Sequence, residues 1–299
     1  RSSGSIVELA NTLLSFKEAL LGSSASQPRE DWKYRGRPPV VASGLSERQF
    51  LGSIRRAGAG RTILVRAEEE RDRLRQILDT ELVFTIKEAK GLEFQTAVLW
   101  KFAESPASRD VWNTILQESE RTVHDAFIQH EINLLYVGIT RAQDDLIVFD
   151  GPGPSAIWTH PAINAQVYLC ADPAYIDQVW NVPSSPEAWR EQGLYFHARE
   201  IYKAAMECFK NAGDLPRYHE SAAAWCLREE RWREAAAHLA ELGQHARAAE
   251  LLEQADDWEG ALELWRLSGD EARILACSVE VFERAGRHAV GARVTGRTG

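Results

Sequence analysis

Long apolar runs are missing from this chain of 299 residues: none reaches the roughly 18 residues that a membrane span needs. The N-terminus shows no signal peptide. The chain opens on Arg1 rather than Met, so part of the native N-terminus is expected to lie outside it. Cysteine is scarce. Cys170, Cys208, Cys226 and Cys277 are scattered without C-x-x-C spacing, which argues against a disulfide framework and a zinc site. A reducing, intracellular setting, nucleus or cytoplasm, is the expectation, with no membrane partner. No G-x-x-x-x-G-K-[ST] occurs, so no loop of that type cradles phosphates. No strand ends in an acidic pair fit to hold Mg²⁺. His130-Glu131 lacks the second histidine at i+4 that a zinc site would require. Excess positive charge is also lacking. The net charge is −9, of which residues 1–150 carry −2 and residues 151–299 carry −7. A strong non-specific nucleic-acid binder shows a basic face, so the second half is excluded from that role and favours a protein partner.

What is present reads as about two domains. Ile6, Leu9, Ala10, Leu13 and Leu14 recur at helical spacing behind Ser3 and Ser5, either of which suits an N-cap. Residues 22–39 read as a loop, 45–56 as a short helix, 61–67 as a buried strand and 68–78 as a charged amphipathic helix. Strands over 82–86, 96–102 and 145–149 follow, with an apolar helix over 132–139 before the last. This alternation predicts an α/β layer with a parallel sheet. Residues 105–129 are expected to fold over the sheet edge. Gly151-Pro152-Gly153-Pro154 breaks both helix and strand and marks a boundary. Residues 151–186, cut by prolines, read as a connector with short helices. Residues 187–290 change to alanine-rich amphipathic helices punctuated by Gly213, Gly243, Gly269 and Gly286. Laying Trp232 on Trp258 also aligns Ala235 with Ala261 and Gly243 with Gly269. The natural reading is an all-α array of helix pairs, each covering its neighbour's apolar face. These units resemble tetratricopeptide (TPR) repeats but are shorter than the usual period of about 34 residues. Trp225, Trp232, Trp258 and Trp265 are expected between helices, and residues 291–299 as a disordered tail.

Two stretches carry the chemistry. Thr85-Ile86-Lys87-Glu88-Ala89-Lys90-Gly91-Leu92-Glu93-Phe94 is a charged turn between two apolar strands, and open α/β sheets present ligand-binding groups on such loops. Leu135-Tyr136-Val137-Gly138-Ile139-Thr140-Arg141-Ala142 delivers one arginine to the end of a packed helix. Together and in this order they resemble the last two signature motifs of the UvrD/Rep-like superfamily 1 helicases, T-x-H-x-x-K-G-L-E-F and L-Y-V-x-x-T-R-A. Lys87 stands where that family has histidine. Arg1-Ser2, just ahead of the first helix, is similar to the second half of the family's N-Y-R-S sequence. Asp270-Glu271-Ala272-Arg273 mimics a D-E-A-x box by letters only. It follows Ser268-Gly269 rather than a strand and reads as an acidic helix start. A helicase-like module ahead of helical repeats is similar in order to the large TPR-and-ankyrin-containing helicase-like proteins.

The resemblance implies that residues 1–150 are the C-terminal RecA-like domain of an ATP-dependent DNA helicase. It makes Arg141 the arginine finger and Arg1 a second contact to the γ-phosphate. Gly91 and Glu93 would lie at the nucleotide edge, Glu93 accepting from sugar hydroxyls. Thr85, Lys87 and Lys90 would meet single-stranded nucleic acid. ATP is the implied cofactor, with Mg²⁺ held by an N-terminal RecA-like half supplied in cis or in trans. The competing reading is a non-catalytic repeat scaffold on a degenerate helicase-like domain.

Overall fold

The apolar runs near residues 63, 97 and 147 become buried strand segments. Of β2 (Arg61–Val65) every residue is buried, and of β4 (Phe94–Trp100) all but Gln95. Continuous rather than alternating apolar sequence is what a parallel sheet covered on both faces requires. The structure, a computed structural model, describes residues 2–22, 28–29, 31–104, 106–117 and 126–295. A first unit ends at Ser184 and a second begins at Ser185.

In chain order the first unit is α1 (Gly4–Leu21), β1 (Val40–Ala42), α2 (Glu47–Ser53), β2, α3 (Glu68–Leu78), β3 (Val83–Thr85), β4, α4 (Pro106–Leu116), α5 (Ala126–Ile139), β5 (Ala142–Phe149), α6 (Ala156–Thr159), α7 (Pro161–Asn164), β6 (Tyr168–Cys170) and α8 (Pro173–Trp180). The strands form one six-stranded sheet in the order β3-β2-β4-β5-β1-β6, with every neighbouring pair parallel. Alternate strand residues point to opposite faces. Val40, Ile63, Val65, Val98, Trp100, Ile147 and Phe149 share one face with Phe50 and Ile54 of α2, Leu74 of α3, and Ile176 and Trp180 of α8. The Phe50 and Phe149 rings stack at 4.4 Å. Helix α5 packs on the opposite face so closely that a Cβ on its Gly138 would lie 3.2 Å from Leu99 Cδ1.

The boundary differs from the one expected at residue 150. Tyr168–Cys170 adds β6 to the sheet beside β1, with Val40 opposite Tyr168, and Ile176, Val179 and Trp180 enter the core. The stretch read as a connector therefore completes the α/β unit. Its strand is three residues long and lies at an edge, where Tyr168 and Leu169 stay largely exposed, so no burial pattern marks it in the sequence. Among the described residues no helix is long and apolar enough to cross a membrane.

The second unit is all helix: α9 (Pro186–His197), α10 (Tyr202–Ala212), α11 (Leu215–Arg228), α12 (Trp232–Glu241), α13 (His245–Gln254), α14 (Trp258–Ser268) and α15 (Glu271–Thr295). It is the helical array that the sequence predicts. From α12 onward the helices start at intervals of 13 residues, so a helix pair repeats every 26. Left-handed residues end successive helices at Glu230 (φ 56°), Gly243 (φ 72°), Asp256 (φ 60°) and Gly269 (φ 77°), again 13 apart. Such residues at C′ let the chain reverse while the last carbonyls are satisfied. Asp214 and Asp257 accept from backbone N–H groups one turn on and cap α11 and α14. Of the four tryptophans expected between helices, Trp265 is fully buried. Trp225, Trp232 and Trp258 are half-buried, and guanidinium groups lie over the faces of Trp225 and Trp258. Helix α15 runs on through Gly286 to Thr295, past the start of the expected tail; a glycine inside a helix costs only about 1 kcal/mol.

Gly193 marks the closest approach in this unit. A Cβ there would sit 2.6 Å from Cε1 of Phe209, a ring 1% exposed. Helix propensity alone favours alanine by about 1 kcal/mol. The clash opposes it, and overpacking costs about 1–3 kcal/mol. Gly193→Ala should therefore leave the second unit no more stable and up to about 2 kcal/mol weaker, read by denaturant unfolding. A clear gain in stability would show that the α9–α10 contact is looser than described.

Candidate functional site

The turn after β3 is built by a local hydrogen-bond exchange. Thr85 N donates to Glu88 Oε2 at 2.8 Å, and Glu88 N donates to Thr85 Oγ1 at 3.1 Å. This is the reciprocal T-x-x-E capping arrangement, which satisfies two donors at the start of a helical turn. Ala89 N bonds back to Thr85 O and Leu92 N to Ala89 O. Ile86, Ala89 and Leu92 are buried, which turns Lys87, Glu88, Lys90 and Gly91 outward. Gly91 sits at φ +86°, with open space where a Cβ would be. A side chain there would be strained, and its absence lets another molecule approach the backbone.

Arg141 is delivered by the end of α5. Thr140 closes the helix, its hydroxyl donating to Tyr136 O at 2.9 Å. The Arg141 guanidinium then folds back across both motifs. Nε donates to Val137 O at 3.1 Å and Nη1 to Leu92 O at 2.9 Å, while Nη2 reaches only Thr140 Oγ1 at 3.4 Å. Its backbone carbonyl accepts from Phe94 N at 2.9 Å, and Phe94 pairs with Ala142. Arg141 thus ties the Gly91–Glu93 segment to the start of β5. Among the described residues it has no carboxylate partner, and it is half-buried. Glu93 is exposed beside it and accepts from Gln143 Nε2 at 2.8 Å.

The helix start meets the same strand. Ser2 Oγ donates to Ala142 O at 2.6 Å and Ser3 N to Gln143 O at 2.6 Å. Ser3 precedes α1 as expected, but its hydroxyl goes to Asp144 O at 3.3 Å rather than capping the helix. Arg1 lies outside the described residues. Behind this edge Tyr34 bonds Asp144. That hydrogen bond, then burial and the Asp144 and Asp145 charges, push the phenol up to about 12. Burial also raises the Asp145 carboxyl, with Asp144 adding to it and the Arg37 and Arg61 charges opposing.

Of the residues singled out in the sequence, Gly91, Glu93 and Arg141 come together. Lys87 and Lys90 share the exposed side of the turn. Thr85 does not reach the surface: it is 4% exposed and its hydroxyl is engaged in the cap. The reason is Glu88, whose carboxylate completes the exchange three residues on. Thr85→Ala should cost about 1 kcal/mol, with Thr85→Ser close to neutral, in urea unfolding. An alanine variant as stable as the parent would remove the cap from the account. Gln143 is not singled out by type, and its only signal is position, two residues after Arg141. Ser2 and Ser3 are noted ahead of the first helix, but not as bonding the start of β5.

A second polar cluster lies inside the unit. Glu131 of α5, 5% exposed, accepts from Arg66 Nη1 at 2.8 Å, Ser108 Oγ at 2.8 Å and Trp112 Nε1 at 3.1 Å. Arg66 follows β2 and also donates to Phe102 O at 3.1 Å. Burial raises the Glu131 carboxyl, but the bonds from Arg66, Ser108 and Trp112 and the Arg66 charge outweigh it and leave it below its ordinary value.

Residues 61–149 match the family described as UvrD-like helicase C-terminal domain. The human "TPR and ankyrin repeat-containing protein 1" is 24% identical over 259 residues, a match covering 71% of this chain and 9% of that protein. The chain thus spans less than a tenth of the length of this curated relative. A crystal structure of the C-terminal domain of a possible DNA helicase from Lactobacillus plantarum WCFS1 is 18% identical, with a TM-score of 0.35, over 57% of this chain and 98% of that one. Both signature turns, from Thr85 to Phe94 and from Leu135 to Ala142, fall inside the residues that match the UvrD-like helicase C-terminal domain, and the helical array follows them in the chain.

Proposed function

We propose that this chain forms one wall of the ATP cleft of a UvrD-like DNA helicase, with the opposite wall supplied by a RecA-like half that bears the phosphate loop. The observation that supports it is the bond from Arg141 Nη1 to Leu92 O at 2.9 Å, which fixes beside Gly91 and Glu93 an arginine that has no carboxylate partner among the described residues. The residues suit a nucleotide. Gly91 leaves room above its backbone, Glu93 offers an exposed acceptor, and Nη2 is the least engaged edge of a permanently charged fork. ATP, when bound, supplies the phosphoanhydride whose cleavage drives stepping. Arg141 meets negative charge at the γ-phosphate, Glu93 orients the sugar, and Gly91 admits the nucleotide edge. Lys87 and Lys90 contact the phosphates of single-stranded nucleic acid, without reading sequence. Mg²⁺ is left to the half with the phosphate loop. The repeats, in the half that carries −7, hold a protein partner.

The test is DNA-stimulated ATP hydrolysis by a protein containing both halves, compared with its Arg141→Ala form. The purified 299-residue chain alone should turn over ATP negligibly. Measurable turnover by that chain, lost on Arg141→Ala, would overturn the division between two halves.

A further inference from the structure

The last described helix, α15, carries a face that the array's own register says should be covered. Count each helix from its first residue. Place five of α12 (Ala236) and place four of α13 (Ala248) share one apolar cluster. Place five of α13 (Ala249) and place four of α14 (Ala261) share the next, and Leu262 and Ile274, at places five and four of α14 and α15, pack against it. In each seam, then, the fifth residue of one helix is matched by the fourth of its successor. The fifth residue of α15 is Leu275, and it is 67% exposed. Val279 and Phe282 continue the line at 51% and 79% exposure. Spacings of four and seven put the three side chains on one helix face.

The period adds a second observation. Left-handed stops at Glu230, Gly243, Asp256 and Gly269 place the next one at residue 282. Phe282 stands there instead, and α15 continues. The position that would have ended the helix lengthens its apolar stripe.

We propose that the Leu275–Val279–Phe282 face of α15 seats one further amphipathic helix of the array's own chemistry, with a small residue at its fourth place resting on Leu275. This gives the protein-binding role proposed for the repeats a location and a partner chemistry, and it rests on that role. The argument for this occupant is continuity: each earlier seam is closed by a helix of that kind, with Ala248 and Ala261 as its small residue at two of them.

The probe is a labelled peptide of residues 257–284, locked helical by i,i+4 lactams on its polar face. It carries Leu275→Glu and Phe282→Glu so that it cannot pair with itself. In fluorescence anisotropy the full 299-residue chain should bind it saturably. Leu275→Glu in the chain, or Ala261→Gln in the peptide, should weaken binding at least tenfold. Ile77→Glu, at an exposed apolar residue of the other unit, should not. Leu275 is exposed, so its variant is expected to fold, which circular dichroism checks. Absence of saturable binding, or binding indifferent to Leu275→Glu, would overturn the proposal. So would a dimer in sedimentation equilibrium that Leu275→Glu dissociates, because a second copy would then own the face. A protein complex formed elsewhere on the repeats and insensitive to Leu275→Glu would sink this inference and leave protein binding by the array standing.

Discussion

Arg141→Lys should lower DNA-stimulated ATP turnover of the two-half protein by about a thousandfold while costing the fold little. An arginine that meets transition-state charge on a transferring phosphoryl group contributes about 10³–10⁵ in rate. A thousandfold loss corresponds to about 4 kcal/mol of barrier. The structural loss is smaller. The guanidinium donates to two backbone carbonyls, at Val137 and Leu92, and each such bond contributes about 1 kcal/mol net. Lysine is a point charge on a flexible stem. It cannot hold both carbonyls and still face an anion, so the charge is kept and the geometry is lost. The decisive comparison sets turnover beside a thermal melt of the same sample. Activity that collapses while Tm moves by a few degrees supports the finger. Turnover within a few-fold of the parent, with the protein folded, would take Arg141 out of that role.

Glu131→Ala should be the most damaging change to a polar side chain named in the α/β unit, at about 3 kcal/mol. Breaking a buried ion pair from one side costs about 3–5 kcal/mol because the remaining charge loses its partner. Here Arg66 retains one quarter of its side-chain exposure, which places the effect at the lower end. Trp112 Nε1 and Ser108 Oγ lose their acceptor as well. Replacing both charges, as Arg66→Met with Glu131→Leu, should recover most of the loss. The pH dependence has a definite sign. A carboxyl held below its ordinary 4.5 in the folded state contributes stability that is complete above that value and is lost as the pH falls through its folded pKa. The parent should therefore lose stability faster than the double variant below about pH 4.5 in denaturant titrations. Parallel pH profiles for the two would contradict this, as would an alanine variant within 1 kcal/mol of the parent.

The sequence shows those parts of the fold whose burial follows a simple pattern. Strand β2 and helix α3 are legible because one carries the apolar run Ile63-Leu64-Val65 and the other begins with three glutamates and ends on Leu78. Strand β6 is not, since two of its three residues face outward at a sheet edge. At the candidate site the residue types in the two motifs single out Gly91, Glu93 and Arg141, and the structure joins them through one guanidinium. Thr85 shows the limit. T-x-x-E is visible in the letters, yet whether a hydroxyl caps its own turn or faces outward depends on which way the β3 end points. The 13-residue step is hidden for a related reason. Glycine marks the helix end at Gly243 and Gly269, but Glu230 and Asp256 adopt the same left-handed turn without the residue that announces it.

That step fixes how the array can be lengthened or shortened. Short loops make neighbouring helices antiparallel. Excising one 13-residue module would keep the seam's lettering but reverse the direction of everything after it. Excising two, for instance residues 232–257, would join Arg231 to Trp258 and restore both phase and direction. Duplications and deletions in this region are thus tolerated by parity, in quanta of 26, and a splice or recombination event that breaks the parity would scramble every downstream contact at once.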